Sequence, residues 1–128
     1  MWKLIGGLLA LPVLLVLSVL MIFLGSEDCL YETDSGASFG GDGERYHVLE
    51  YSSDSQLQET LEQEATPISP AEEAVTAILD GLSVPADQRP DYADCRWFTA
   101  FRSEDARDEL YLLANSGGTR LYVIESLF

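Results

Sequence analysis

Basic side chains are scarce in this 128-residue sequence. Seven lysines and arginines stand against 22 acidic residues, which gives a net charge of −15, and the single lysine is Lys3. Every acidic residue comes after Leu24, where six arginines against 22 acids leave a net charge of −16. A surface this acidic repels nucleic acids and anionic lipid headgroups and attracts cations. The composition therefore argues against nucleic-acid binding and suits a cationic partner or counterion.

Histidine is nearly absent, and this limits the chemistry available to the chain. A Ser-His-Asp or Cys-His site would have to use His47, the one histidine. The one Gly-x-Ser-x-Gly match, at Gly36–Gly40, lies in a polar, glycine-rich stretch and not between a predicted strand and a predicted helix, so it does not support a nucleophile elbow. The sequence contains no glycine-rich phosphate loop. Neighbouring carboxylates are frequent, but composition alone produces them in a chain this acidic. We therefore expect a protein that is not an enzyme and uses no cofactor.

A metal site is not predicted either. Asp34, Asp42 and Glu44 lie in a glycine-rich stretch, yet they lack the Asp-x-Asp-x-Asp-Gly spacing and the closing glutamate of a calcium loop. The acidic surface still permits a small-ligand or cation-binding domain. We keep that function, in a secreted or anchored protein, as the first alternative to a protein-interaction module, and a small envelope enzyme as the second.

Charge is missing altogether from the run Ile5–Leu24, in which only Ser18 is polar. Its 20 residues, at about 1.5 Å each, would span about 30 Å as a helix, which matches the hydrocarbon core of a bilayer. The apolar region of a signal peptide is shorter and ends in a small-x-small cleavage site, whereas the large Phe23 precedes any cut after Gly25. We expect residues 1–25 to be a retained signal-anchor transmembrane helix, with cleavage and secretion as the alternative.

The charges that flank the run predict its orientation. Lys3 and the amino terminus precede it, while Glu27 and Asp28 follow it. Positively charged residues remain on the cytoplasmic side of a membrane. We therefore expect a single-pass protein of the cell membrane that contacts the lipid bilayer through residues 5–24, with a cytoplasmic N-terminus and the C-terminal domain outside.

Cysteine occurs only twice, at Cys29 and Cys95. Both follow the predicted anchor and would lie in an oxidising compartment, where cysteines pair. A bridge closing a loop of about 67 residues would stabilise the domain by about 4 kcal/mol on the chain-entropy model. We predict a Cys29–Cys95 disulfide, with two unpaired thiols as the alternative.

The rest of the chain divides by composition into two parts. Residues 26–44 are acidic and glycine-rich with few aliphatic side chains, which predicts a flexible tether. Residues 45–128 carry strand-like and helix-like apolar patterns, which predict an extracytoplasmic α+β domain. We expect one strand, two helices and a three-stranded antiparallel β-meander, in the order Arg45–Ser52, Ser55–Ala65, a helix near Ser69, Arg96–Arg102, Glu109–Ala114 and Thr119–Ser126.

The clearest helix signal lies in the middle of the chain. Ser69 suits an N-cap, Pro70 the first helical position and Glu72 the closing position of a capping box. Apolar residues then recur at spacings of three and four from Ala74 to Leu82. We expect this helix to cover one face of the sheet.

Aromatic residues concentrate in the first strand of the meander. Trp97 and Phe101 should point to one face of the sheet and Phe98 to the other, because side chains alternate along a strand. One set should lie beneath the Ala74–Leu82 helix. The other is either covered by the shorter helix or exposed as a binding patch.

We predict that Arg96, Phe98 and Arg102 border a partner site on that face of the sheet. The expected function is then a membrane-anchored interaction or accessory module of the cell envelope, non-enzymatic, which binds a protein or peptide partner through its sheet face.

Overall fold

The structure is a computed structural model that describes Ile22 and residues 26–36, 43–100 and 109–127. These residues form two α-helices and one antiparallel sheet of six strands, so the predicted α+β class is confirmed. The strands are β1 (Asp28–Asp34), β2 (Gly43–Glu50), β3 (Thr66–Pro67), β4 (Cys95–Thr99), β5 (Glu109–Asn115) and β6 (Arg120–Leu127), and the helices are α1 (Asp54–Glu64) and α2 (Glu72–Gly81). Two short 3-10 helices, Ala86–Gln88 and Tyr92–Asp94, precede β4.

The strands lie in the order β1-β2-β6-β5-β4-β3. The predicted meander is confirmed, because β4 pairs with β5 and β5 with β6, both antiparallel. The first predicted strand is β2, and it joins the free side of β6 in an unbroken register from Gly43–Leu127 to Glu50–Arg120. The predicted strand Arg96–Arg102 is confirmed as far as Thr99, and residues 101–108 lie outside the described residues.

The prediction of a tether over residues 26–44 is wrong for β1, which pairs along its length with β2. Tyr31 explains the pairing, since its ring lies 6.0 Å from that of Tyr46 and packs against the core. The other side chains of β1 except Thr33 are exposed, as is typical of a charged edge strand. Because such a strand contains few apolar residues, the sequence pattern does not predict it. Residues 37–42 of the same stretch lie outside the described residues.

Two other local features differ from the sequence pattern. Strand β3 escapes prediction because it has two residues, one of them Pro67, and it lies at the far edge where a proline is tolerated. Helix α2 begins at Glu72 with Ala71 as an N-cap that makes no side-chain bond, although Ser69 was expected to cap it. Ile68 N donates to Trp97 O at 3.0 Å, so the chain is still strand-like just before Ser69. Ser69 itself favours extended backbone because it precedes Pro70.

Helix α2 covers one face of the sheet, as its apolar spacing predicts. Its buried residues Val75, Ile78 and Leu79 join a core that includes Trp97 of β4. The strands contribute alternate residues to this core, which we call the α2-side core. The buried strand residues on this face are Tyr46, Val48, Trp97, Leu113, Tyr122 and Ile124.

Helix α1 covers the opposite face with Leu57 and Leu61. The strand residues of this second core, the α1-side core, include Leu49, Leu112, Leu121 and Val123. Leu121 and Val123 therefore face away from Tyr122 and Ile124, because side chains alternate along a strand. Both faces of the sheet are covered.

Ile22 completes the α1-side core, where it is 1% exposed. It has helical backbone, and its carbonyl accepts a hydrogen bond of 2.6 Å from the buried Tyr51 hydroxyl. Apart from Ile22, the predicted transmembrane run Ile5–Leu24 lies outside the described residues. Among the helices that the structure describes, none has the length and apolar character needed to cross a bilayer.

Replacement of Ile22 by alanine should destabilise the domain. The change removes three methyl or methylene carbons from a closely packed core, for which we expect a loss of about 2–4 kcal/mol in the free energy of unfolding. Urea unfolding of the detergent-solubilised full chain measures the effect. The matched control is Leu30→Ala, because Leu30 is 43% exposed and should change stability by no more than about 0.5 kcal/mol. Equal stability of the two variants would show that Ile22 does not belong to the folded core.

Candidate functional site

The predicted partner residues Arg96 and Phe98 lie together on β4, on the face that α1 covers. The Arg96 guanidinium carbon is 5.7 Å from the centre of the Phe98 ring, and its Nη1 donates to Gln58 Oε1 of α1 at 2.9 Å. Phe98 is half-buried against the α1-side core. Arg102, the third predicted residue, lies outside the described residues. The Phe98 ring therefore packs mainly against the α1-side core, and the Arg96 guanidinium lies over the ring.

The predicted Cys29–Cys95 disulfide is not formed, and both thiols are free. Cys29 is on β1 and Cys95 on β4, with β2, β6 and β5 between them. Four strand spacings of about 4.8 Å separate the two by roughly 19 Å, whereas a disulfide requires Cα atoms within about 7 Å. The prediction is wrong because strand order, which the cysteine spacing does not reveal, decides the distance.

Neither thiol has the character of a nucleophile. The Cys29 side chain is exposed, and partial desolvation, followed by the Glu32 charge, raises the pKa of its thiol. Burial raises the pKa of the Cys95 thiol to about 11, and the charges of Asp94 and Asp91 act in the same direction. Both groups are therefore protonated at neutral pH, while thiol chemistry requires the thiolate.

Strand β1 forms one edge of the sheet, and its outer side has no partner strand among the described residues. Ser35 N donates to Glu44 O at 3.0 Å, which fixes the alternation of hydrogen-bonded pairs in the β1–β2 ladder. Thr33 and Tyr31 bond inward to β2. The backbone N–H and C=O groups of Glu32 and Asp34 consequently point away from the sheet.

This outer edge is acidic. Asp28, Glu32 and Asp34 belong to β1, Glu27 directly precedes it, and all four are exposed. No lysine or arginine occurs in β1. The register shifts between Cys29 and Tyr31, and this bulge exposes Leu30, the one large exposed apolar side chain of the described residues. We call Asp28–Asp34 and its outward backbone groups the acidic edge.

Titratable residues continue from the acidic edge into the sheet on its α1 side. Glu32 lies opposite His47, with 3.7 Å between Oε2 and Nε2. Asp34 lies opposite Arg45, which in turn lies opposite Glu125 of β6. Glu125 is only 7% exposed, and burial raises the pKa of its carboxyl while Arg45 opposes the rise. Asp34, Arg45 and Glu125 thus alternate in formal charge across the three neighbouring strands.

The described residues contain no group of histidine, cysteine and acidic side chains with the geometry to hold a metal ion. Comparison of the chain with known protein families, with curated proteins and with solved structures finds no match.

The pH dependence of stability should report on His47. Burial lowers the pKa of this imidazole below its usual value of about 6.5, against the opposite effect of Glu32. The unfolded chain then binds the proton more readily than the folded chain, so stability is complete above about pH 6.5 and falls as the pH drops through that value toward the folded pKa. Urea unfolding at pH 7.5 and pH 5.5 should show this loss, and it should be smaller in His47→Gln. An identical loss in the variant would assign the dependence to other groups.

Proposed function

We propose that the protein is a membrane-anchored interaction module of the cell envelope, non-enzymatic, which binds an extended segment of a protein or peptide partner along the acidic edge. The observation that carries the proposal is the outward direction of the Glu32 and Asp34 backbone groups. An exposed strand edge is a template for one more strand, which gains main-chain hydrogen bonds when it adds.

The covered faces favour the edge over the sheet face as the place of binding. Helix α2 occupies one face, and helix α1 with Ile22 occupies the other. The site expected at Arg96 and Phe98 would require displacement of α1 contacts, because Arg96 bonds to Gln58 and Phe98 packs into the core beneath. Addition of a strand at β1 disturbs none of these contacts.

The burial of Ile22 supports a retained N-terminal segment. Cleavage after Gly25 would remove Ile22 from the α1-side core and leave the buried Tyr51 hydroxyl without its acceptor. Such losses cost several kcal/mol in a small domain. With Ile22 assigned to the core, Ile5–Met21 still provides seventeen residues, of which only Ser18 is polar, and this is long enough for a short span of the bilayer.

Intact-mass measurement of the membrane-extracted protein tests the anchor. We expect the mass of a chain that retains residues 1–25 and a protein that stays in the membrane fraction after an alkaline wash. A mature chain that starts near Ser26 would contradict the anchor and make the protein a secreted one. The edge could then still bind its partner.

A photo-crosslinking amino acid at position 32 tests the edge. We expect it to form one reproducible adduct in native membranes, whereas the same group at Glu59, an exposed position on α1, should form none. Asp34→Pro should abolish the adduct, because proline removes an outward N–H without removing a bond within the sheet.

Asp34→Ala is the matched control, since both variants lose the Asp34 carboxylate and its hydrogen bond from Gly36 N, but alanine keeps the backbone donor. The adduct should persist in Asp34→Ala at reduced yield. An adduct that forms equally from position 59, or that survives Asp34→Pro, would contradict binding along the edge.

A further inference from the structure

The chemistry of the partner follows from the side chains that flank the outward backbone groups. Glu32 and Asp34 lie on the α1 side of β1, opposite His47 and Arg45 of β2. The Glu32 side chain is 72% exposed, and Asp34 is also exposed. Their carboxylates therefore stand at the rim of the edge, where the side chains of an added strand would lie directly beside them.

Cross-strand geometry specifies where complementary charges must be. Residues directly opposite each other in an antiparallel pair have Cβ atoms about 4.5–5.5 Å apart, within reach of an ion pair. The residues opposite Glu32 and Asp34 would be two apart in the partner and share one face. The residue between them would lie on the α2 side, near the half-buried Tyr31 and Thr33. A segment with basic residues at alternate positions fits both faces.

A second copy of this chain does not meet these requirements. Self-pairing of β1 would bring acidic side chains against acidic side chains, because β1 contains Asp28, Glu32 and Asp34 and no basic residue. Like charges directly opposite each other destabilise a strand pair. The chain as a whole, with a net charge of −15, adds a long-range repulsion between copies and an attraction for cations.

We propose that the acidic edge binds an extended cationic segment that places lysine or arginine opposite Glu32 and opposite Asp34. This inference rests on the proposed function and adds the partner's charge pattern to it. Main-chain pairing supplies the affinity, and the two carboxylates select the sequence and its register.

Fluorescence-labelled octapeptides provide the test. The full chain is placed in nanodiscs of zwitterionic phosphatidylcholine, and empty nanodiscs correct for binding to lipid. An alternating Arg-Thr peptide should bind at least tenfold more tightly than an alternating Glu-Thr peptide. The double variant Glu32→Gln, Asp34→Asn should bind the Arg-Thr peptide about three- to tenfold more weakly, as expected for the loss of two exposed ion pairs.

Two methylated peptides distinguish strand addition from charge attraction alone. The arginines opposite Glu32 and Asp34 would use their own backbone groups to bond to the edge. N-methylation of the arginine amides should therefore weaken binding about tenfold or more, while N-methylation of the threonine amides should have little effect. Both peptides carry the same charge and the same number of methyl groups.

The outcomes separate the inference from the proposed function. Equal affinity of the Arg-Thr and Glu-Thr peptides, with sensitivity to methylation, would overturn the cationic partner and leave edge binding in place. Equal affinity of the two methylated peptides would overturn edge binding itself. A double variant that self-associates yet binds the Arg-Thr peptide unchanged would show that the acids serve only to prevent self-pairing, and this would overturn the inference.

Discussion

The pairing of β2 with β6 is the interaction on which the rest of the structure depends. It joins Gly43–Glu50 to Arg120–Leu127 without a break in register, and the paired residues are 70 to 84 positions apart in the sequence. The two strands are buried on both sides: Tyr46, Val48 and Ile124 face α2, and Leu49, Leu121 and Val123 face α1. A slip by one residue in the register would move the side chains of one strand to the opposite faces of the sheet. The two cores therefore determine the register, and the register determines which residues enter each core. The edge strand β1 and the meander are each attached to this pair.

The sequence predicts the strands and helices whose side chains follow a regular apolar period. Alternation in β4 correctly separates Trp97 from Phe98, and the three-and-four spacing of α2 correctly indicates the helix face that enters the core. The same reasoning fails for β1. Tyr31 is the side chain of this edge strand that packs against the core, and the acidic residues of the strand resemble those of a linker. It also fails for β3, whose two residues carry no period at all.

The features of the candidate site that follow from local sequence pattern could likewise be predicted, and those that depend on topology could not. Alternation correctly places Arg96 and Phe98 on one face, but it does not reveal that α1 covers that face and that Gln58 holds Arg96. The cysteines are misjudged for a related reason, since only the order of strands separates Cys29 from Cys95. Composition does predict attraction for a cationic partner. Where that attraction acts depends on which strand forms the edge, and this is a property of the whole sheet.

The acidic edge and the predicted anchor are close in the chain, and this proximity affects how the edge would meet a membrane. Asp28, the first residue of β1, is six residues beyond Ile22, so the two lie within about 20 Å of each other. Anionic headgroups are repelled by exposed carboxylates, whereas cationic segments are drawn to them over about 8 Å at physiological salt. A strand edge of basic character in this position would itself be drawn to anionic headgroups. In the proposed function the exposed carboxylates of Asp28, Glu32 and Asp34 would instead keep the edge away from anionic lipid, and the same charge would select an extended basic segment.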